Sequence, residues 1–189
     1  MGQHDLTPEE CEALLRMARD TLQEHLTRST QTGRGAGTDP GGRLLEHRGA
    51  FVTLHRGSSL RGCIGTFEAT EPVLETVRRM AVAAATSDPR FPPVTAKELP
   101  RIQIEISVLS PLHEVTADEV QVGDHGIYIT QGLRRGVLLP QVATQNHWDR
   151  ETFLAHTCIK AGLDVEAWKE PATRIEVFTA QVFSEPRLP

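Results

Sequence analysis

The sequence predicts an α+β fold in which helices flank a mixed, largely antiparallel sheet. In residues 101–110, isoleucine and valine alternate with polar residues, which is typical of a strand with one buried face. In residues 8–28, apolar residues recur every three or four positions, which is typical of one face of a helix. The predicted order α, β-β, α, β, β-β, α, β contains no regular β-α-β repeat, and it therefore favours α+β over a doubly wound fold.

The first helix is predicted from about Pro8 to Arg28. Thr7 is a favourable N-cap, Pro8 suits the first helical position, and Glu10 completes a capping box. Four leucines and one alanine form the apolar face: Leu14, Leu15, Ala18, Leu22 and Leu26.

Residues 31–42 predict a flexible glycine-rich surface loop. Five glycines and one proline disfavour both a helix and a central strand. A phosphate-binding loop is disfavoured because the segment lacks Gly-Lys-Ser or Gly-Lys-Thr and because no strand precedes it.

The middle of the chain predicts two strands, a helix and an irregular loop. Residues 50–56 are rich in strand-forming side chains, and residues 60–68 return as a second strand that glycines interrupt. A helix follows over residues 71–86. Residues 87–93 contain three prolines, which remove backbone donors and restrict their neighbours, so we expect an irregular loop.

Two strands, residues 126–130 and 137–139, are predicted to form a hairpin whose turn is longer than two residues. A final strand is predicted over residues 173–183. Its apolar phase changes between Val177 and Phe178, so we expect a bulge or a twist at that point.

The last helix is predicted to begin after Asp149, a favourable N-cap residue, and to extend to about Ala161. Its inward positions include Phe153 and Leu154. Gly162 is expected to end the helix, because glycine readily adopts the left-handed conformation found after a helix C-terminus.

Composition narrows the class of protein. With 39% hydrophobic and 24% charged residues, the chain fits an ordinary globular protein, and we treat residues 1–189 as one domain. No apolar run approaches the ~18 residues of a membrane helix, and the N-terminus does not resemble a secretory signal. Three widely spaced cysteines without a C-x-x-C pattern favour free thiols and a cytoplasmic location. Arginine greatly outnumbers lysine, which suggests a bacterial source.

The charge and the histidine pattern disfavour two further classes. The net charge of −5 argues against a nucleic-acid-linked regulator, because phosphate neutralisation needs clustered cations. The eight histidines are scattered, with no pair four residues apart around a carboxylate, so we predict no metal site and no cofactor.

The segment Arg61-Gly62-Cys63-Ile64-Gly65 is the strongest candidate for chemistry. Glycines inside a strand usually mark a bulge or a close approach to the backbone, and here two of them flank a cysteine. Cys63 is then a reactive thiol, or the backbone from Gly62 to Gly65 cradles a ligand whose anionic group Arg61 binds. A tightly packed strand with a buried thiol is the structural alternative.

His125, Asp88 and Arg90 are further candidates. His125 follows Asp124 and precedes Gly126, so it is a candidate base or partner for Cys63, although the pattern favours a turn histidine without catalytic duty. Asp88 and Arg90 lie close together in the irregular loop of residues 87–93, which we call the proline loop. They either pair with each other or face a ligand.

Several segments resemble the AMMECR domain family, whose prokaryotic members are called AmmeMemoRadiSam system protein A. Leu60 to Gly65 spells the family signature L-R-G-C-I-G. Further matches cover nearly the whole chain: Ser87 to Val94 (D-x-R-F-x-P-V), Ile104 to Ser110 (I-E-I-S-V-L-S), His125 to Ile127 (H-G-I), Leu138 to Val142 (L-L-P-Q-V), Trp148-Asp149, Phe153-Leu154, Cys158 and Ala161 to Leu163. Residues 31–42 are longer and richer in glycine than the family pattern.

The resemblance implies an α+β fold with a larger and a smaller lobe around a cleft, near which the L-R-G-C-I-G segment lies. It also implies a small-molecule-binding or accessory component that acts beside a Memo-like protein and a radical-SAM protein. The expected ligand-binding residues are Arg61, Gly62, Cys63, Gly65, Asp88, Arg90 and Phe91. A cysteine-dependent enzyme with Cys63 and His125 as catalytic residues is the alternative, so the sequence leaves open whether the protein is an enzyme.

Overall fold

The computed structural model describes residues 5–27 and 42–186. These residues contain two compact units, the first formed by residues 5–27, 42–109 and 181–186 and the second by residues 110–180. Residues 31–41 of the predicted glycine-rich loop lie outside the described residues. Gly42 begins a short 3-10 helix that ends at Leu45.

The first unit has a four-stranded sheet in the order β2-β1-β3-β8 and two helices. Its elements are α1 (Pro8–Thr27), β1 (Ala50–Arg56), β2 (Ser59–Thr66), α2 (Val73–Thr86), β3 (Ile102–Leu109) and β8 (Ala180–Ser184). β1 pairs antiparallel with both β2 and β3. The α+β prediction is confirmed, and so are the first helix, the helix over residues 71–86 and the alternating strand, each to within two residues.

The two faces of this sheet differ in character. α2 packs on β1 and β2, and α1 packs on α2 and β3. The face toward these helices is apolar and buried: Ala50, Val52 and Leu54 of β1, and Ile102, Ile104, Ile106 and Val108 of β3. The residues that alternate with them, Phe51, Thr53 and His55 of β1 and Gln103, Glu105 and Ser107 of β3, are polar or aromatic and only partly buried. We call their side of the sheet the polar face.

The second unit has its own four-stranded sheet in the order β4-β7-β5-β6, again with antiparallel pairs. Its elements are β4 (His113–Glu114), β5 (Gly126–Gln131), β6 (Arg134–Leu138), α3 (Pro140–Gln145), α4 (Arg150–Lys160) and β7 (Arg174–Phe178). α4 packs on β5 and β6, and its core centres on Phe153, Leu154 and Cys158.

Asp149 caps α4 as expected, because its carboxylate accepts a hydrogen bond of 2.8 Å from the backbone N–H of Thr152. Gly162 follows the helix with a φ of 70°, which confirms its role as the stop. α3 was not predicted. It begins at Pro140, and its six residues are too few to show a helical apolar period.

Two local predictions are wrong. The turn between β5 and β6 contains only Gly132 and Leu133, and Gly132 has a φ of 60°, as the first position of a type II′ turn requires. The segment 173–183 is not one strand with a bulge. It breaks at Thr179 into β7 and β8, which belong to different sheets, so the change of apolar phase marks a change of sheet.

Within the part of the chain that the structure describes, no helix combines the length and the apolar character needed to cross a bilayer.

Candidate functional site

The cysteine segment forms β2, an edge strand with an irregular register. Cys63 pairs with Thr53 and Gly62 pairs with Leu54, but the next residue of β1, His55, pairs with Leu60. Arg61 is therefore the extra residue of a β-bulge. A bulge redirects the side chain that it carries, so Arg61 need not follow the pleat that orients Cys63.

Arg61 binds the end of the proline loop and the segment that follows it. Its Nε atom donates to Glu98 Oε1 at 3.0 Å, and its Nη2 atom donates to Glu98 Oε2 at 3.3 Å. The guanidinium also donates to the carbonyl oxygens of Pro92, at 2.9 Å, and Pro93, at 3.3 Å. Only 11% of the side chain is exposed. Each of the three nitrogens is thus engaged inside the protein.

Glu98 is the charge partner of Arg61 and closes a turn of its own. Its Oε2 atom accepts from the backbone N–H of Thr95 at 2.9 Å and from the Thr95 hydroxyl at 3.0 Å. The hydrogen bonds from Arg61, followed by those from Thr95, lower the pKa of Glu98 to about 2. The ion pair is therefore intact at neutral pH and holds residues 92–98 against β2.

Asp88 holds the other end of the proline loop. Its side chain is buried, and its Oδ2 atom accepts a hydrogen bond of 2.8 Å from the backbone N–H of Cys63. Arg90 forms a two-pronged contact with the same carboxylate, Nε to Oδ1 at 2.9 Å and Nη2 to Oδ2 at 2.7 Å. The Arg90 hydrogen bonds, and then the Cys63 N–H, hold the Asp88 pKa well below its usual range although burial opposes them.

Together, Asp88 and Arg90 cover the open edge of β2 at Cys63. Arg90 Nη2 lies 3.4 Å from the Cys63 carbonyl oxygen, so both backbone groups of this edge residue have a side-chain partner. Edge strands otherwise expose such groups to unwanted pairing. The sequence left open whether Asp88 and Arg90 pair or face a ligand, and the structure shows that they pair.

Arg90 nevertheless keeps unused capacity. Its side chain is 54% exposed, and within residues 5–27 and 42–186 its Nη1 atom has no hydrogen-bond partner. The guanidinium carbon lies 5.6 Å from the centre of the Phe91 ring, which supports the group from the side. Arg90 is thus held in place by Asp88 while one of its amino groups remains free to bind.

The Cys63 side chain is partly buried and lies on the polar face. Its Sγ atom accepts a hydrogen bond of 3.3 Å from the hydroxyl of Thr53, directly opposite on β1. The Cys63 N–H and C=O point away from β1, so Cys63 and Thr53 form a pair that is not joined by backbone hydrogen bonds. The side chains of such pairs lie closer together than those of hydrogen-bonded pairs. No histidine or lysine contacts Sγ among the described residues.

The two glycines of the segment allow close packing within the protein. A Cβ atom on Gly62 would lie 2.2 Å from the carbonyl oxygen of Ala84 in α2. A Cβ atom on Gly65 would lie 2.1 Å from the ring of Phe51. The close backbone approaches that the sequence predicted are therefore made by a helix on one face of β2 and by an aromatic ring on the other.

The polar face carries residues that the sequence analysis did not single out. Thr53 pairs with Glu105 of β3 as well as with Cys63, so these three side chains form a row across three strands. His55 Nε2 lies 3.9 Å from Glu105 Oε1. The alternation of residues 102–109 placed Glu105 on a polar face, but only the strand register shows which residues are its neighbours.

His125, the proposed partner of Cys63, lies in the second unit. Its Nδ1 atom accepts a hydrogen bond of 3.2 Å from the Gln121 backbone N–H, and the His125 backbone N–H donates to the Gln121 carbonyl oxygen. Burial, and then the nearby His113, lower the His125 pKa, which favours a neutral ring with its proton on Nε2. A catalytic pairing of His125 with Cys63 stays a prediction.

The described residues contain no group of three or more histidine, cysteine or acidic side chains placed to hold a metal ion.

Comparison with known proteins gives the family. A profile of the AMMECR1 family matches residues 15–183. The chain belongs to the AMMECR1 family. A protein of Methanothermobacter thermautotrophicus is 41% identical over 187 residues, with 95% of this chain and 96% of that protein covered. Protein MK0488 of Methanopyrus kandleri is 42% identical over 190 residues, with 95% and 90% covered.

A solved structure supports the AMMECR1 fold. The crystal structure of the uncharacterized protein PH0010 from Pyrococcus horikoshii is similar, with a TM-score of 0.77 and 38% identity. The similarity covers 97% of this chain and 96% of that chain.

The source predicted from composition is wrong. The relatives named above come from archaea, which contradicts a bacterial assignment. An excess of arginine over lysine reflects the base composition of a genome, and that property is shared by bacteria and archaea.

Proposed function

We propose that this AMMECR1 protein is a small-molecule-binding or accessory component that acts beside Memo-like and radical-SAM proteins. The observation that carries the binding role is the buried Asp88 carboxylate, which fixes the Cys63 backbone and the Arg90 guanidinium together. A binding group that is already held in place loses little conformational entropy when a ligand arrives.

The ligand class follows from the group that Arg90 leaves free. A guanidinium donor suits carboxylate and phosphate oxygens. We assign the anion-binding role to Arg90 rather than to Arg61, because the Arg61 nitrogens are engaged with Glu98 and two carbonyl groups. Asp88, Gly62 and Gly65 then act by positioning, while Arg90, Phe91 and Cys63 offer exposed surface.

Protection of Cys63 from a small neutral thiol reagent tests this role. We expect inorganic phosphate to slow the modification of Cys63 by methyl methanethiosulfonate, measured on the Cys63 peptide by mass spectrometry. Arg90→Lys should abolish the effect because it removes the free amino group of the fork. Arg16→Gln, on the exposed side of α1, is the matched control and should leave the effect intact.

Wild-type labelling that neither phosphate nor citrate changes, at millimolar concentration, would contradict the binding role.

The partnership rests on the family resemblance and needs its own test. We expect co-expression with a Memo-like and a radical-SAM protein from the same genome to give a complex on size-exclusion chromatography. Separate elution of all three proteins, both with and without reductant, would contradict the proposed accessory role. The cytoplasmic location expected from the free cysteines stays a prediction.

A cysteine-dependent enzyme is the second candidate, favoured by the partial exposure of Cys63 and its contact with the Thr53 hydroxyl. An activated nucleophile reacts with iodoacetamide rapidly even below neutral pH. The binding proposal expects the labelling rate to keep rising up to alkaline pH. A rate that is already maximal at pH 6.5 would favour the enzyme.

A further inference from the structure

We propose that the polar face beside Cys63 binds a polyol that carries one anionic group. The anionic group is bound by Arg90, and the hydroxyl groups are bound by Glu105 and His55. This inference rests on the proposed binding function and adds the class of ligand to it.

The strand register places Cys63, Thr53, His55 and Glu105 on one surface, and Arg90 lies beside Cys63 at the edge of β2. β1 is central, and its Thr53 pairs with Cys63 on one side and with Glu105 on the other. Directly opposite residues of antiparallel strands point to the same face. With strands about 4.8 Å apart, Cys63 and Glu105 lie roughly 10 Å apart across the sheet. The long side chains of Arg90 and Glu105 shorten the gap that a ligand has to span.

Glu105 differs from the other carboxylates near this sheet. Asp88, Glu98 and Glu185 are each bound by an arginine. The Glu105 side chain is 36% exposed, and its polar contact within the described residues is His55 at 3.9 Å, which is too long for a hydrogen bond. Its carboxylate oxygens therefore remain available as acceptors.

His55 adds a second group with unused capacity. Its side chain is 28% exposed, and no hydrogen bond joins its ring to another group in the described part of the chain. A neutral imidazole offers one donor and one acceptor. Glu105 and His55 together can therefore bind neighbouring hydroxyl groups, each of which both donates and accepts.

The charges decide against simpler ligands. Asp88 already compensates the positive charge of Arg90. A lone anion therefore gains only the hydrogen bond from Arg90 Nη1, with little net charge attraction. The Glu105 carboxylate repels a second anionic group, whereas hydroxyl groups donate to it readily. A neutral polyol would leave Arg90 Nη1 unused. A hydroxylated molecule with a single phosphate or carboxylate uses both ends of the row.

Three probes separate these ligands by their protection of Cys63 from methyl methanethiosulfonate. We expect ribose 5-phosphate to protect at a concentration about tenfold lower than inorganic phosphate, since added hydrogen bonds to a carboxylate have that effect. Ribose alone should give little protection. Gluconate carries a carboxylate in place of the phosphate and should protect Cys63 at a concentration similar to that of ribose 5-phosphate. Comparison of the two shows whether the site prefers a phosphate or a carboxylate.

Variants on the polar face test which residues cause the stronger protection by ribose 5-phosphate. Glu105→Ala should remove the advantage of ribose 5-phosphate and leave protection by inorganic phosphate unchanged. Ser107→Ala, two residues along β3 on the same face, is the matched control and should retain the advantage. His55→Phe keeps a ring of similar size and should reduce the advantage several-fold, which preserves the test if Glu105→Ala fails to fold.

The outcomes distinguish this inference from the binding role. If no phosphate compound or carboxylate protects Cys63, the proposed function fails. If inorganic phosphate protects as well as ribose 5-phosphate and gluconate do, or if both Glu105→Ala and His55→Phe keep the advantage, the polyol is excluded while anion binding stands.

Discussion

Two arginine–carboxylate pairs hold residues 87–98 against β2, and they differ in how many guanidinium nitrogens are engaged within the protein. Arg61 is 11% exposed and donates from all three nitrogens to Glu98 and to two carbonyl groups. Arg90 is 54% exposed and donates from two nitrogens, mainly to Asp88. The same residue types thus serve two purposes, because a fully engaged pair stabilises the loop whereas a partly engaged pair also offers a binding group.

The largest expected effect is that of Asp88→Ala. It removes the acceptor of the partly buried Cys63 N–H and the charge partner of Arg90 at once. Such losses cost roughly 2–4 kcal/mol, which urea denaturation measures. A loss below about 0.5 kcal/mol, typical of a surface substitution, would show that Asp88 does not organise the loop.

A second effect concerns the packing that fixes β2 on α2. Gly62→Ala places a methyl group against the Ala84 carbonyl oxygen, a backbone atom that is unable to move aside alone. We expect a loss of about 1–3 kcal/mol by the same measurement, as for other overpacked sites. Gly57→Ser is a contrasting control, since its site is sterically open and only its φ of 62° is strained.

Both arginines should contribute to the stability of the fold through the carboxylate that each of them compensates. Arg61→Ala leaves the Glu98 carboxylate without its charge partner and should cost about 1–3 kcal/mol. Arg90→Ala should lower the thermal midpoint at least as much, because it leaves the Asp88 carboxylate, which is only 2% exposed, without its charge partner. A clearly smaller loss for Arg90→Ala would show that the buried Asp88 carboxylate does not depend on Arg90 for charge compensation.

A smaller expected effect is the loss of folding stability at acidic pH. The pKa values of Asp88 and Glu98 are lower when the protein is folded, so both pairs stabilise it fully above pH ~4.5, the region of unperturbed carboxyl groups. The contribution of the Glu98 pair should be lost as the pH falls toward the Glu98 pKa of about 2, and the loss of the Asp88 contribution should extend to lower pH.

Glu98→Gln should flatten the dependence of the unfolding free energy on pH between about 4.5 and 2. Glu105→Gln, whose carboxylate has no arginine partner within the described residues, should leave the slope unchanged. A slope that Glu98→Gln does not alter would show that the Arg61 pair does not persist in solution.

Local sequence patterns predicted most of the helices and strands, because their apolar periods and caps lie within a few residues. Asp149, Thr7 and Glu10 are such cases. The break at Thr179 was missed because a strand that leaves one sheet for another keeps its strand-forming residues. The turn at Gly132 and Leu133 was missed because Arg134 and Arg135 look like turn residues although they pair with β5.

The candidate site was predicted only in part, because several of its contacts join segments that are far apart in the sequence. Family motifs identified Cys63, Asp88, Arg90 and Phe91, but they did not show that Arg61 occupies a bulge and binds Glu98. The row that joins Cys63 to Glu105 depends on the pairing of three strands, and pairing between distant segments leaves no local pattern in the sequence.

The most direct test of the account compares phosphate protection of Cys63 in two variants of the same kind. Arg90→Lys and Arg61→Lys each shorten one guanidinium fork to a single ammonium group, so the pair differs only in which arginine is changed. The account predicts that phosphate slows the modification of Cys63 in the wild type and in Arg61→Lys, and that the effect is absent in Arg90→Lys. Loss of the effect in Arg61→Lys, with protection retained in Arg90→Lys, would contradict it.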